Sequence, residues 1–461
     1  MDDIIAKLAG AIDPARIFTD PSLRDELSWD ALSEGRLHPR RRPELHMPLC
    51  VVKPQSTDEV RRVAECANRE RLSLVPFGGG SGLMGGALSI RPSVVVDLRG
   101  MNRILEIDAE SRSVRAQAGI VLEMLDAKLN ESGMILGHDP WTVPVATLGG
   151  AISTNSVGYR AGLYGSMGEQ VLGLEAVLPN GEVLRTRAVS KHSAGVNLNS
   201  LFIGGEGCFG IITEATIRVF PAPEARFVGG YVFSSFEAGY RAVQEFFQRR
   251  LRPALLDFGD DEEKHGPRAV LYLVFEGNRD LVETERRLAG AICAAHGARA
   301  LDQPDPEQFW RERHEIARRF ANNRRQRRER GRDGVYRDWI HVALPGSKVL
   351  AFRERAQEIV ARRGVRLQES GLWVQPEFFS MRLGAEDAPG FDAHGTLEET
   401  VEELLGLAQQ MGGSMEYTHG VGVKLAPLMA VEHGYGLEVM RQIKKILDSN
   451  NVMNPGKMGL S

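Results

Sequence analysis

The stretch EYTHGVGVK, from Glu416 to Lys424, carries side chains that could handle a proton and hold a polar substrate. His419 is a candidate general base, because an imidazole titrates near neutral pH. Tyr417 could bind or polarise a substrate oxygen. Arg382 and Lys424 could each hold an anionic group, and an arginine can do so through two parallel hydrogen bonds. The alternatives are a turn histidine, a packing tyrosine and surface cations.

A second feature is the glycine-rich stretch VPFGGGSGLMGGAL at residues 75–88, in which Gly80, Gly82 and Gly85 match G-x-G-x-x-G. That pattern marks a Rossmann nucleotide site only when a strand precedes it and a helix follows. Here Pro92 and the run SVVVDL follow, so the sequence predicts a strand, a loop and another strand. Backbone N–H groups of such a loop can still converge on a phosphate. A flexible surface loop is the alternative.

Three further stretches are rich in glycine and small polar residues. They are LGHDPWTVPVATLGGAISTNSVGYRAGLYG at 136–165, LNSLFIGGEGCFGIITEATIRVF at 198–220 and LDSNNVMNPGKMG at 447–459. Small side chains of this kind let a polar, aromatic ligand lie against the backbone. The four stretches together therefore favour binding of a phosphate-bearing aromatic cofactor.

In this order, the four stretches resemble the FAD-binding domain of the vanillyl-alcohol oxidase superfamily, which is also called the PCMH type. Within it, the chain is most similar to the branch of D-lactate dehydrogenase, glycolate oxidase and alkyl-dihydroxyacetone-phosphate synthase. The resemblance implies an α+β fold of two domains, with an α+β cap over the flavin. We expect an FAD-binding domain at 1–222, a cap or substrate domain at 223–412, and a segment at 413–461 that returns to the first domain.

The resemblance also implies roles for individual residues. The first glycine loop would wrap the FAD pyrophosphate, the second stretch would line the flavin and ribityl chain, the third would lie near the adenine, and the tail would close the site. FAD would be bound without a covalent link, because Gly80 and Ser81 stand where some relatives attach flavin through a histidine. A histidine link from the substrate domain stays open. The implied cofactor residues are Pro76, Gly78, Gly79, Gly80, Ser81, Gly82, Leu83, Gly149, Gly150, Ser153, Thr154, Asn155, Gly158, Glu206, Gly207, Gly210, Ile211, Ile212, Asn454 and Lys457.

A metal site is not expected. Lactate- and glycolate-type relatives carry E-H-G-x-G near the C-terminus and a histidine-rich stretch upstream, and these hold a divalent ion. Here Thr418 occupies the glutamate position, and the upstream counterpart, LWVQPEFFSMRL, has no histidine. A metal needs several convergent ligands. His394 is too isolated to supply them.

The resemblance implies an FAD-dependent oxidoreductase acting on CH–OH groups, with an alcohol or a 2-hydroxy acid such as D-lactate or glycolate as substrate. Two alternatives stay open: an oxidase or dehydrogenase of para-substituted phenols, and a non-redox flavin transferase like the ether-lipid synthase. Thr418 to Gly422 is similar to the transferase pattern H-H-G-V-G-K, and Glu416 to His419 to the phenol pattern E-Y-x-T-H. The electron acceptor, whether oxygen, a quinone, a cytochrome or an electron-transfer protein, is open too.

Composition sets the remaining limits. The 461 residues carry a net charge of −4, with 43% hydrophobic and 26% charged residues, so global charge gives no sign of nucleic-acid binding. Four scattered cysteines favour a reducing compartment over a disulfide framework. No signal peptide or membrane-length apolar run stands out, so we expect a cytoplasmic protein. A homodimer is left open.

An arginine-rich run at residues 311–332 holds ten arginines and three glutamates. A solvated helix or mobile loop is the plain interpretation. An anion-attracting gate and a contact with acidic lipid headgroups at the inner membrane face are the alternatives. Aromatic residues do not alternate with the arginines, which disfavours nucleic acid.

Overall fold

The structure is a computed structural model, and it describes residues 2–37, 43–260, 266, 268–302, 304–321, 323 and 328–460. Asn322 and residues 324–327 of the arginine-rich run lie outside the described residues. Helices and four sheets alternate along the chain, and the larger sheets are mainly antiparallel. This mixture is the α+β class that the sequence predicts.

The first sheet carries the glycine loop at one end of its strands. A strand, the helix Thr57–Glu70 and a second strand follow one another, and the Ser56 hydroxyl caps the helix by accepting a bond from the Glu59 N–H at 3.3 Å. Strand Ser73–Phe77 then pairs in parallel with Ser93–Asp97. The fully described stretch between these two strands contains no helix, which confirms the strand, loop and strand predicted around Pro92. In order across the sheet, the strands are Ile17–Phe18, Cys50–Val52, Ser93–Asp97 and Ser73–Phe77.

A second, five-stranded sheet supports the other side of the same unit. Its last two strands form a hairpin around Asn180-Gly181, a pair of residues that favours such a turn, with Val177 opposite Val183. A two-stranded ladder, Met134–Ile135 with Phe220–Pro221, lies beside it. The strands in order are Ile104–Asp108, Ser113–Gln117, Ile211–Arg218, Val171–Val177 and Val183–Arg185. The helices of this unit are Asp2–Ala9, Pro21–Glu26, Thr57–Glu70, Leu122–Asn130, Leu148–Ser153, Ala161–Tyr164 and Met167–Gln170.

The central part of the chain forms a seven-stranded sheet. The sequence here alternates strands and helices as βαβ units do, yet every described strand pair of this sheet is antiparallel. The strands in order are Arg299–Ala300, Ala225–Phe233, Ala269–Gly277, Leu255–Asp260, Arg366–Trp373, Phe378–Glu386 and Val335–Ala343. The accompanying helices are Phe236–Gln248, Arg279–Ala295, Asp305–Glu312, Glu315–Ala321, Val349–Arg362 and Ala393–Gln410.

The C-terminal residues run back to the first sheet. Helices Met429–His433 and Tyr435–Leu447 precede a tail in which the Asn454 N–H donates to the Leu74 carbonyl at 2.8 Å. The buried Lys444 ammonium fixes this tail by donating to the Cys208 carbonyl at 2.8 Å and the Met453 carbonyl at 2.6 Å. No helix among the described residues is long and apolar enough to cross a membrane.

Candidate active site

A cleft open to solvent lies where the glycine loop, the loop before helix Leu148–Ser153, the Glu206 turn and the C-terminal segment meet. Most of the predicted cofactor residues line it. These are Pro76, Gly78, Gly79, Gly80, Ser81, Gly82, Leu83, Gly149, Gly150, Ser153, Thr154, Glu206, Gly207, Gly210, Ile211 and Ile212. Segments that are far apart in sequence thus converge on one elongated cavity.

The glycines at the start of the loop are required by close packing. A Cβ on Gly79 would lie 2.1 Å from the Val145 carbonyl oxygen, and one on Gly78 would lie 2.3 Å from Thr147 Oγ1. Gly80 has a φ of +61°, in the left-handed region that favours glycine. The wall of the cleft here is therefore mostly backbone, as a phosphate-binding loop requires.

Four predicted cofactor residues do not line the cleft, and their assignments stay predictions. Asn155 accepts a hydrogen bond from the Gly168 N–H at 2.9 Å, and Gly158 packs against the backbone of Asp139. The Asn454 amide donates to the Gly86 and Glu206 carbonyls at 2.9 and 2.7 Å. The buried Lys457 ammonium donates to the Leu88 carbonyl at 2.8 Å, and burial lowers its pKa to about 8.

His419 lies at the cleft, on a turn organised by Glu416. The Glu416 carboxylate accepts hydrogen bonds from the Thr418 and His419 N–H groups at 2.8 and 2.9 Å, and His419 Nδ1 lies 3.4 Å from the same oxygen. His341, on strand Val335–Ala343, brings its ring centroid to 4.4 Å from that of His419, nearly perpendicular to it. Two imidazoles and a carboxylate therefore meet beside the cleft.

Burial and neighbouring charges set the protonation states of His341 and Glu416. Burial lowers the pKa of His341 to about 3, and neighbouring positive charges act in the same direction, so His341 is neutral at neutral pH. Burial alone would raise the pKa of Glu416, but the two histidines and the backbone N–H bonds lower it below its usual value. Glu416 is consequently a carboxylate held against His419.

Tyr417 lies in an aromatic layer under the same turn. Its hydroxyl lies 3.0 Å from Ser380 Oγ, and its ring stacks on Phe378 with centroids 4.4 Å apart. Burial raises the pKa of Tyr417 far above its usual value, so the hydroxyl keeps its proton. Tyr417 itself is absent from the cleft lining, although its neighbours Thr418 and His419 belong to it.

The two predicted anion contacts are placed differently from the sequence expectation. The buried Lys424 ammonium bonds Asp338, whose other oxygen accepts from Arg36 Nε at 2.6 Å. Burial, followed by the Arg36 charge, lowers the pKa of Lys424 to about 8. Arg382 faces the carboxylate of Glu369 at 3.7 Å and does not line the cleft. Anion binding by these two residues stays a prediction.

Sequence reasoning missed two features of the site. Thr147 lies two residues before the predicted Gly149-Gly150 pair, lines the cleft, and has a buried hydroxyl without a hydrogen-bond partner among the described residues. The donor atoms of His341, Glu416 and His419 all lie within 4.8 Å of one another, a ligand set that metal ions use. The prediction of a metal-free site was based on LWVQPEFFSMRL and Thr418 and did not take His341, Glu416 and His419 into account. The absence of a metal stays a prediction.

Family models identify the two halves of the chain. Residues 48–187 match an FAD binding domain, and residues 222–458 match the C-terminal domain of FAD linked oxidases. The chain belongs to the FAD-linked oxidases. This confirms the family resemblance and FAD as the cofactor, and it identifies an oxidoreductase family.

Two curated relatives of this FAD-linked oxidase cover most of its length. The glycolate oxidase subunit GlcD of Bacillus subtilis (strain 168) is 30% identical over 89% of each chain. A D-lactate dehydrogenase of Archaeoglobus fulgidus is 31% identical over 88% of this chain and 90% of its own.

Solved structures agree on the fold. An alkyldihydroxyacetonephosphate synthase superposes with a TM-score of 0.81 at 20% identity, over 99% of this chain and 86% of its own. A p-cresol methylhydroxylase with substrate bound gives 0.81 at 16% identity, over 100% and 97%. At these identities the comparison shows the fold alone, and that fold is the two-domain PCMH-type fold that the resemblance implied.

The residues of the cleft fit FAD. The backbone-lined cradle at Gly78 and Gly79, which a Cβ would fill, suits a pyrophosphate, and the free Thr147 hydroxyl beside it offers a hydrogen bond. The small residues around Gly149 and Gly150 leave room for a flat ring system. Bound FAD would be held chiefly by backbone N–H groups in this part of the cleft.

The arginine-rich run of the FAD-linked oxidase faces acidic residues of the N-terminal unit. The exposed pairs among them are individually weak, and the pair of Arg313 with Asp139 is largely buried; together the four pairs join the run to the N-terminal unit. They also neutralise charge that a gate or a membrane contact would need, and both of those roles stay predictions. The pairs are Arg313 with Asp139 (3.0 Å), Arg318 with Glu123 (2.7 Å), Arg328 with Asp25 (2.9 Å) and Arg332 with Glu34 (2.9 Å).

Replacing Glu34 with glutamine tests whether these ion pairs join the arginine-rich run to the N-terminal unit. Glu34 pairs with both Arg328 and Arg332, so Glu34→Gln should lower the thermal unfolding midpoint by about 1–3 °C at low salt. The difference should vanish in about 1 M salt, where the Debye length is about 3 Å. Glu315→Gln, whose Arg318 partner lies on its own helix, is the control. An equal, salt-independent loss in both variants would contradict this role of the ion pairs.

Proposed function

We propose that this FAD-linked oxidase oxidises a CH–OH group of an alcohol or 2-hydroxy acid and that His419 accepts the hydroxyl proton. The observation that carries the proposal is the placement of His419 on the cleft wall with the Glu416 carboxylate behind it. The relatives named glycolate oxidase and D-lactate dehydrogenase support this substrate class. Bound flavin supplies the acceptor for the hydride that leaves the substrate carbon.

The neighbours of His419 suit a base that gains a positive charge. Glu416, ionised and 3.4 Å from Nδ1, stabilises the imidazolium that forms when the proton arrives. His341 remains neutral beside it and therefore adds no opposing charge. When CH–OH is oxidised to C=O the hydroxyl loses one proton, which His419 is placed to accept, and bound flavin would supply the acceptor for the hydride.

The test is anaerobic bleaching of the bound flavin by a substrate panel. The panel holds D-lactate, glycolate, larger 2-hydroxy acids and para-hydroxybenzyl alcohols, and bleaching by the hydroxy acids is the expected result. Bleaching by the phenols alone would assign the chain to phenol oxidation and give Tyr417 the main binding role. An alkyl exchange without net electron transfer would favour the transferase alternative.

The same assay tests the metal-free site. Treatment with a chelator should leave the bleaching rate unchanged, because the proposed mechanism needs no metal ion. Elemental analysis of the treated protein checks that any metal has been removed. A loss of rate that returns when Zn²⁺ or Mn²⁺ is added would instead make His341, Glu416 and His419 metal ligands. That result would remove His419 as the free base.

A further inference from the structure

Glu206 occupies an unusual position at the floor of the cleft. It lies in the turn between Gly204 and Gly207, with a φ of +46° that a non-glycine residue seldom adopts. Its side chain is buried, and its own carbonyl accepts a bond from the Asn454 amide at 2.7 Å. The surroundings thus hold this turn in one conformation, with the carboxylate inside the protein.

The Glu206 carboxylate faces the loop that carries His419. It accepts hydrogen bonds from the Val421 N–H and from the Gly422 N–H, the latter at 2.8 Å from Oε2. The loop comes so close that a Cβ on Gly420 would lie 2.7 Å from Oε1. A carboxylate offers only acceptors, so it matches two successive backbone N–H groups directly.

The loop is held on both sides of His419, and Glu206 supplies the side-chain contact on the C-terminal side, where the Met84 carbonyl also accepts from the Val423 and Lys424 N–H groups. On the N-terminal side, Glu416 holds the N–H groups of Thr418 and His419. On the C-terminal side, the Gly422 N–H donates to the Glu206 carboxylate. Gly422 also lies against the glycine loop, where an added Cβ would be 2.0 Å from the Met84 carbonyl oxygen. His419 lies between these two carboxylates.

We propose that Glu206 is a positioning residue that holds residues 420–422 so that the His419 imidazole faces the substrate. The inference rests on the proposed role of His419 as the base. It gives Glu206 a function different from the adenine contact that the family resemblance implies. Burial raises the pKa of Glu206 to about 7, although the hydrogen bonds from the two N–H groups act to lower it. The protein therefore keeps a carboxyl group in a place where burial disfavours its charge.

The decisive variant is Glu206→Gln, because its amide group replaces one of the two accepting oxygens with a donor that would face a backbone N–H. With a hydroxy acid that bleaches the wild type, flavin reduction should slow at least about tenfold, since a misplaced reacting group can cost about a hundredfold. FAD content should stay within about twofold of the wild type. Hydrogen exchange of the 418–422 amides should speed up, a readout that is independent of activity.

A double variant separates positioning from an independent contribution. If Glu206 acts through His419, adding Glu206→Gln to His419→Ala should slow reduction no further. Glu206→Asp, a shorter carboxylate, should fall between the wild type and the glutamine variant, and it serves if Glu206→Gln does not fold. Glu175→Gln removes another buried carboxylate of the same unit, one that does not line the cleft, and should leave the rate unchanged.

Three results would overturn the inference. The first is that Glu206→Gln has the wild-type rate of flavin reduction and the wild-type rate of amide hydrogen exchange. The second is that the effects of the two substitutions multiply in the double variant. The third is that Glu206→Gln loses FAD while its hydrogen exchange stays normal, which would make Glu206 a cofactor contact. If His419→Ala alone reduces flavin at the normal rate, the proposed function fails instead. The exchange measurement then still decides whether Glu206 holds the loop.

Discussion

Gly79→Val is expected to give a folded protein that no longer retains FAD. The smallest added side chain would already place its Cβ 2.1 Å from the Val145 carbonyl oxygen and 3.1 Å from Ala146 Cα. These are backbone atoms, so they cannot move aside as a flexible side chain would. Valine therefore pushes the glycine loop away from Val145 and Ala146 and displaces the backbone N–H groups that would hold the pyrophosphate.

The expected size of this effect is at least about a hundredfold in FAD affinity, or roughly 2.8 kcal/mol at 1.4 kcal/mol per tenfold. Flavin absorbance per mole of purified protein and titration of the apoprotein with FAD both measure it. Gly406→Ala is the matched control: Gly406 lies in helix Ala393–Gln410, and a Cβ there would meet nothing within 4 Å. Full flavin content in Gly79→Val would refute the assignment of the loop.

The glycine loop could be predicted from the sequence because its determinants are local. Pro92 and the β-branched run after it exclude a helix, and glycines that allow close backbone approach act within a few residues of their own position. Helix Thr57–Glu70 and its Ser56 cap, like the hairpin at Asn180, follow from the same kind of short-range signal. Local chemistry therefore predicted the elements around the cofactor.

The substrate side depends on contacts between distant segments, which the sequence does not display. Lys424 is bound to Asp338, 86 positions away, and the same carboxylate accepts a hydrogen bond from Arg36. His341 approaches His419 because its strand pairs with residues around Ser380 and bridges to Glu416. Strand register of this kind comes from packing of the whole sheet, and a single sequence shows only the alternation along each strand.

The order of strands in the cap is another long-range property. The sequence from residue 225 onward alternates strands and helices, which is typical of parallel βαβ units. Two helices, Phe236–Gln248 and Arg279–Ala295, do follow strands, but the strands before and after each helix are not hydrogen-bonded to each other. Ala225–Phe233 and Leu255–Asp260, for example, each pair antiparallel with Ala269–Gly277, which lies between them. The sequence shows the alternation of strands and helices, but it does not show which strand lies between two others, because that order depends on where the returning chain joins the sheet.

His419→Ala is expected to keep the bound flavin and to slow its reduction by substrate at least about a hundredfold. A positioned general base contributes about 10²–10⁴-fold, and a hundredfold corresponds to roughly 2.7 kcal/mol of transition-state stabilisation. His419 packs beside His341 and Glu416 rather than in the hydrophobic core, so its truncation should leave the fold and the FAD cradle in place.

Anaerobic stopped-flow reduction with the substrate identified by the panel measures this effect. His296→Ala is the control, since it removes a histidine that pairs with Glu245 at 2.9 Å in the cap, away from the cleft lining. Glu416→Gln should slow reduction less than His419→Ala, because it removes the charge that stabilises the imidazolium but leaves the base. If the His419→Ala variant reduces flavin at the wild-type rate, the substrate proton goes to another group. Tyr417 is not that group as it stands, because its hydroxyl is protonated and bonded to Ser380 and would first have to lose its own proton.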